Sequence, residues 1–200
     1  MIPRQPGPLH VGLTGLMASG KGEAARLMRD RGYAYISLSD VVREHALAGL
    51  TPEAGKITRS DLQDTGDRLR RESGAGVLAD KVCVKIRSIL PGRWVIDGIR
   101  NPAEVERLRT LHPFHLIAII APRNAVLRRL RERNRGTDHL PDCELEKMVD
   151  REWGDKETSE GQQVGLCIAM ADHRVKNDGT LEGFRQRMRK ILKKIEESDG

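Results

Sequence analysis

Aromatic side chains are scarce in this chain: two Trp, two Tyr and two Phe make up 3% of 200 residues. So few flat surfaces on which unpaired bases could stack make nucleic acid an unlikely partner. Cysteine is scarce too. Cys83, Cys143 and Cys167 are odd in number, widely separated and form no C-x-x-C pair. They support neither a disulfide framework nor a zinc site, and point to a reducing cytoplasm. Long apolar runs are missing. The longest aliphatic stretch, Leu116–Ala121, falls far short of the roughly 20 residues that a membrane-spanning helix needs. Residues 1–8 carry three prolines and no apolar signal core, and read as a loose tail. The expectation is a soluble, cytoplasmic protein with no membrane partner.

Positive charge is plentiful. Lys and Arg number 35 against 29 Asp and Glu, a net charge of +6, with a pI near 9.5 and a mean hydropathy of −0.51. An anionic partner follows. The length suits one domain with a substantial core, here residues 9–197.

Strand and helix signals alternate along the chain, which predicts a parallel α/β sheet. Strands are expected at His10–Thr14, Tyr33–Leu38, Arg93–Ile99, Phe114–Ala121 and Arg174–Lys176. Helices are expected at Gly20–Arg31, at Asp40–Ala48 behind a Ser39 cap, and near Arg59–Glu72 and Gly76–Ile89. Further helices run from Asn101-Pro102 toward Leu111 and from Pro122 to about Arg135. Asp142–Trp153, Gly161–Ala171 and Thr180–Glu197 complete the set. Polar punctuation follows most strands: Gly15–Lys21, Ser39-Asp40, Asp97-Gly98 and Asn177-Asp-Gly179. In a parallel sheet these would meet at one edge, where ligands bind.

The first of them is the most specific. An apolar run breaks into Gly15-x-x-x-x-Gly20-Lys21-Gly22 and a helical pattern follows at once. This is a P-loop arrangement. Glycines let successive backbone N–H groups approach phosphate oxygens, and the helix N-terminus adds donors and partial positive charge. Lys21 offers an ammonium to the β- and γ-phosphates, expected to stand in solvent until they arrive.

Gly15-x-x-x-Ser19-Gly20-Lys21-Gly22 resembles the P-loop of adenylate kinase and its nucleoside monophosphate kinase relatives. Ile36-Ser-Leu-Ser-Asp-Val-Val-Arg43 is similar to their segment carrying an arginine for the acceptor phosphate. Val95-Ile-Asp-Gly-Ile-Arg100 resembles their Asp-Gly-Phe-Pro-Arg motif. Arg128, Arg131, Arg133 and Arg135, followed by Asp138, resemble the arginine-rich lid. Val175-Lys-Asn-Asp-Gly-Thr-Leu-Glu182 resembles the close of dephospho-coenzyme A kinase, where that loop lies beside the adenine. The pattern spans roughly residues 10 to 195. As a whole it most resembles a group described as predicted nucleotide kinases or dephospho-coenzyme A kinase-like proteins, and is similar to the kinase-like part of some deoxycytidylate deaminases.

The resemblance implies a three-layer P-loop NTPase fold, with a parallel five-stranded sheet, helices on both faces, a helical acceptor-binding region at 39–90 and a lid at 128–155. It implies ATP, Mg²⁺ and a nucleotide acceptor. Gly15, Ala18, Ser19, Gly20, Lys21, Gly22, Glu23, Asn177 and Gly179 would contact ATP. Asp40, Arg43 and Arg100 would face the acceptor. Lys21, Asp97, Arg131 and Arg135 would act on the transferred group, and Asp97 would reach the metal through water. Arg151 is a further, weaker cation, and no histidine has a partner at catalytic spacing.

Two departures stand out. Ala18 replaces a glycine usual in adenylate kinases, and Gly22 offers Mg²⁺ no hydroxyl, with Glu23 where those kinases carry threonine. Ordinary structural roles compete as well: Asp97 could cap a helix, and an arginine run is often a solvated face. The leading expectation is phosphoryl transfer to a (deoxy)nucleoside monophosphate. The alternatives are dephospho-coenzyme A kinase, a nucleotide-binding regulatory module with little transfer, and, on pI alone, a kinase acting on nucleic-acid ends. The oligomeric state stays open between monomer and homodimer.

Overall fold

A computed structural model describes residues 7–48, 58–89, 92–132 and 140–199. Five strands form one sheet: β1 (Leu9–Thr14), β2 (Ala34–Ser37), β3 (Arg93–Ile99), β4 (Phe114–Ile120) and β5 (His173–Lys176). Their spatial order is β2-β3-β1-β4-β5, and every pairing is parallel. The described helices are α1 (Lys21–Arg29), α2 (Leu38–Ala48), α3 (Arg59–Ser73), α4 (Val77–Arg87), α5 (Pro102–Leu108), α6 (Arg123–Glu132), α7 (Asp142–Trp153), α8 (Val164–Ala169) and α9 (Leu181–Asp199).

Strand alternation divides the core in two. Leu9, Val11 and Leu13 of β1 join Val95 of β3 and Ile117 and Ile119 of β4 under α1 and α9, packing on Ala24, Met28, Phe184 and Met188. The other face meets α2, α4 and α5 through Trp94, Ile96, Ile99, Leu116, Leu78, Val82 and Val105. Because both faces are covered, β1 is buried along its whole length, as expected of a central parallel strand. A third cluster joins α6 and α7 to Met17 and Ala18 of the turn after β1, through Val126, Leu130, Leu145 and Val149.

The β1–β3 register is irregular. Gly12 pairs with Ile96, but Thr14 pairs with Ile99, so β3 spends one more residue than β1. The extra residue falls at Asp97-Gly98, where Gly98 has φ +83°. Ile96 and Ile99 therefore enter the same core, and the Thr14 hydroxyl closes the gap by donating to the Ile99 carbonyl at 3.0 Å. Such bulges re-aim a side chain.

The element bounds differ from the sequence pattern where side chains compete for backbone groups. Ser37, not Ser39, caps α2: its Oγ accepts the Ser39 N–H at 3.2 Å, so the helix begins two residues earlier, at Leu38. Asn101 caps α5 and accepts the Ala103 N–H at 2.9 Å, with Pro102 at the first position. The Asn101 amide also donates to the carbonyls of Ser159 and Gly161. With that segment engaged, α8 starts at Val164 rather than Gly161. Helix α5 ends at Leu108 because the Thr110 hydroxyl takes the Arg107 carbonyl at 2.8 Å.

A buried ion pair fastens α3 to α5. Arg70 and Glu104 are 3% and 0% exposed, and Arg70 Nε and Nη2 donate to Glu104 Oε1 at 3.0 and 2.8 Å. The other Glu104 oxygen accepts the N–H groups of Arg100 and Asn101 at 2.8 and 3.1 Å. Removing one partner of a buried pair strands the other charge and costs about 3–5 kcal/mol. Arg70→Ala is therefore expected to lower unfolding free energy by about that amount in urea titration. Arg68→Ala, which loses only an exposed pair with Glu72, should stay within about 0.5 kcal/mol.

Candidate functional site

The turn between β1 and α1 combines three left-handed residues. Gly15, Ala18 and Gly20 have φ of +137°, +55° and +115°. A Cβ on Gly15 would lie 2.3 Å from the Ile119 carbonyl oxygen, and one on Gly20 would lie 2.3 Å from Asn177 Nδ2. Only glycine fits either place. Ala18 accepts a conformation that costs an L-residue roughly 1–2 kcal/mol, which explains why glycine is the easier choice there.

The loop carbonyls are fastened on its outer side. Asn177 Nδ2 donates to the Ser19 carbonyl at 2.6 Å. Arg129 Nη1 reaches the Ala18 and Ser19 carbonyls at 3.3 and 3.4 Å, and its Nη2 donates to the Asn177 carbonyl at 2.9 Å. Burial, and then the neighbouring Arg128, hold the Arg129 pKa below that of a free guanidinium. Lys21, the first residue of α1, is half-buried and folds back on the loop, donating to the carbonyls of Gly15 and of Leu16, the latter at 3.0 Å. The expectation of a solvated ammonium is thus corrected: the loop's own carbonyl dipoles hold it. The Ser19 hydroxyl is buried and meets no hydrogen-bond partner among the described residues. A glycine cradle with an unsatisfied buried hydroxyl and a helix N-terminus suits an oxyanion such as phosphate.

Asp97 lies on β3, beside β1, and shares Val95's side of the sheet, the α1 side. It is half-buried: one oxygen accepts the Gly98 N–H at 2.6 Å, and the other the Tyr35 hydroxyl at 3.4 Å. Burial, then the Asp97 charge and more weakly that of Asp40, raise the Tyr35 pKa. Asp97 does not cap α5, since Asn101 does. Asp40 and Arg43 stand exposed on α2, which leaves the same edge of the sheet. Among the described residues no group of three or more His, Cys, Asp or Glu is arranged to hold a metal by itself.

Arg100, just past β3, is tethered at three points. Its N–H goes to Glu104, its carbonyl accepts the Gln163 N–H at 2.7 Å, and its Nε donates to Glu152 at 3.0 Å. Glu23 is occupied elsewhere: its carboxylate, held low in pKa first by the Arg26 hydrogen bond, accepts Arg26 and Arg185 at 2.7 Å each. A methyl group on Gly22 or Gly179 would meet open space among the described residues. Arg131 is exposed and pairs with Asp142 at 2.7 Å. Arg128 lies 3.7 Å from Glu132, and Arg151 bonds Asp64 and Asp67 at 2.7 Å each. Arg133, Arg135, Asp138 and His139 lie outside the described residues.

Sequence reasoning missed Arg129, Glu152 and Tyr35. The first two had a readable signal. Arg129 sits one helical step from Val126 and beside Leu130, and Glu152 continues the Leu145–Val149 stripe, so both are charges on a buried face. Tyr35, on an edge strand, had none.

Comparison with known proteins follows this geometry. A family model described as an AAA domain matches residues 11–163. The UPF0200 protein of Sulfurisphaera tokodaii is 34% identical over 189 residues, covering 92% of this chain and 96% of that one. The UPF0200 protein of Methanothermobacter thermautotrophicus is 31% identical over 188 residues, covering 94% and 90%. The chain is an AAA-domain protein of the UPF0200 family. Among solved structures, shikimate kinase from Bacteroides thetaiotaomicron superposes with a TM-score of 0.59 at 13% identity, covering 94% of this chain and 98% of that one. TT1252 from Thermus thermophilus gives 0.58 at 22%, with the same coverage. At such identities the likeness is one of fold: a three-layer P-loop architecture shared with small-molecule kinases. No helix among the described residues is long and apolar enough to cross a membrane.

The two kinds of glycine in the loop are expected to respond differently to a methyl group. Gly15→Ala should lose about 1–3 kcal/mol to backbone strain alone, before its clash with β4. Gly22→Ala, with open space and a helical position, should be neutral or stabilising by up to about 1 kcal/mol. Chemical denaturation of both variants checks this.

Proposed function

We propose that the protein transfers a phosphoryl group from ATP to a nucleotide-like acceptor, a (deoxy)nucleoside monophosphate. One arrangement carries the reading: a glycine cradle on β1, a carboxylate on the neighbouring β3 and, three residues later, the tethered Arg100, all at one sheet edge. Cradle and helix N-terminus would bind the donor phosphates, with Lys21 turning from the loop carbonyls to the β- and γ-oxygens. Arg100 and Arg43 would grip the acceptor's phosphate. That phosphate brings its own nucleophilic oxygen, so positioning and charge cancellation suffice without a strong base. Arg131 and Arg135 of the lid are proposed to add positive charge around the moving group.

Mg²⁺ when bound would neutralise charge between the β- and γ-phosphates. Gly22 has no side-chain oxygen to offer it, and Asp97 would hold one of its waters. Asn177 supports the reading from behind the loop: its contacts with Ser19 and Arg129 give the Asn177-Asp-Gly-Thr ending a role in shaping the ATP site that needs no coenzyme A. The cytoplasm is the proposed compartment.

An acceptor screen with Mg-ATP, reading ADP and phosphorylated product separately, is expected to show transfer to at least one nucleoside monophosphate. Lys21→Ala should then reduce kcat by about 10²–10³-fold, the range for losing one electrostatic donor, with unchanged circular dichroism. Asp97→Asn should slow turnover by a comparable factor while ATP affinity shifts only a few-fold, as for an interaction made mainly in the transition state. ATP binding without transfer to any acceptor would replace the kinase reading with a nucleotide-responsive regulatory module. Transfer to dephospho-coenzyme A alone would move the acceptor.

A further inference from the structure

Glu152 is a fully buried carboxylate with two obligations. It lies in the last turn of α7 and is 0% exposed. Its Oε2 accepts the backbone N–H of Met17, inside the glycine loop, and its Oε1 accepts Arg100 Nε at 3.0 Å. A buried carboxylate so placed is costly unless its partners are fixed, and one of them belongs to each half of the proposed site.

The consequence for Arg100 is geometric. A guanidinium is planar, so fixing Nε to one acceptor also fixes the plane and the direction of the Nη1/Nη2 fork. With its N–H on Glu104 and its carbonyl on Gln163, the backbone of Arg100 cannot swing either. Neither Nη atom meets a protein acceptor among the described residues, and the side chain remains 28% exposed. The fork is pointed, held and open. Adjacent Arg151 binds Asp64 and Asp67 of α3, so one turn of α7 also braces the helical region flanking the site.

We infer that Glu152 is a positioning residue: it orients the Arg100 fork for an oxyanion and fixes that fork relative to the glycine loop. The inference rests on the reading of Arg100 as the acceptor-phosphate ligand. In Glu152→Gln the volume is kept, but the amide can offer a carbonyl oxygen to Met17 or to Arg100, not to both.

Two measurements test it on the full chain. The first is independent of turnover. The Arg100 Nε–H signal in a ¹H–¹⁵N spectrum, assigned by its loss in Arg100→Lys, should be slow to exchange in the parent protein and respond to inorganic phosphate. In Glu152→Gln it should exchange at least tenfold faster and lose the phosphate response. An unchanged signal in Glu152→Gln overturns the assignment, whatever the enzyme phosphorylates.

The second uses the nucleoside monophosphate the parent phosphorylates fastest. Glu152→Gln should raise its KM at least tenfold and the ATP KM less than threefold. In an Arg100→Ala background Glu152→Gln should add nothing further to the acceptor KM. An undiminished effect there, or an equal rise in both KM values, would make Glu152 a brace for the loop alone and overturn the inference. Absence of transfer in the parent would count against the proposed function, leaving the spectroscopic result to decide the role of Glu152.

Discussion

Everything at this sheet edge depends on which way the peptide groups of residues 15–20 face. A turn this tight has as many carbonyls as amides, and an anion tolerates only the amides. The protein solves the conflict from outside. Asn177, delivered by β5, and Arg129, delivered by α6, take the carbonyls of Ala18 and Ser19, and Lys21 covers those of Gly15 and Leu16. The loop is thus a joint product of β1, α1, β5 and α6, far apart in sequence and brought together by the sheet order. Glu152 adds a fifth element, tying the Met17 amide to α7.

The same logic governs the buried charges. Glu104 and Glu152 are the two fully buried carboxylates among the described residues, and each accepts both a guanidinium and at least one backbone N–H. Neither pair contributes much net stability over an apolar core. What such pairs supply is direction: the backbone of Arg100 is set by one and its side chain by the other. A surface arginine such as Arg131, paired with exposed Asp142, has no comparable constraint.

Much of this architecture was legible in the chain. Apolar runs located the central strands β1, β3 and β4, because parallel strands buried on both faces leave an uninterrupted signal, while the more exposed edge strands β2 and β5 were placed by the glycine and polar turns beside them. The β3 and α7 bounds agree residue for residue with the pattern. The Gly15–Lys21 cradle was legible because its tight turn restricts backbone conformation, and backbone restriction is written in glycine. Side-chain tethers were not. Nothing in Arg151-Glu152-Trp153 shows that Glu152 meets Met17, 135 positions away in sequence, since such contacts are decided by helix packing. Helix starts slipped for a related reason: Ser37 and Ser39 are chemically equal as caps, and their hydroxyls lie 2.6 Å apart. The choice between them follows from where β2 must end.

The extra residue in β3 has a consequence for how this edge can change over time. In a regular strand, alternation would bind the carboxylate at position 97 and the packing at the next positions into one register, so altering either would disturb the other. Gly98 absorbs the mismatch, leaving Ile99 sealed in the hydrophobic interior while Asp97 stays half-buried beside Tyr35. The strand end therefore behaves as two modules joined by a swivel, one answering to packing and the other free of it. Substitution at position 97 can therefore proceed without a toll on the interior two residues away.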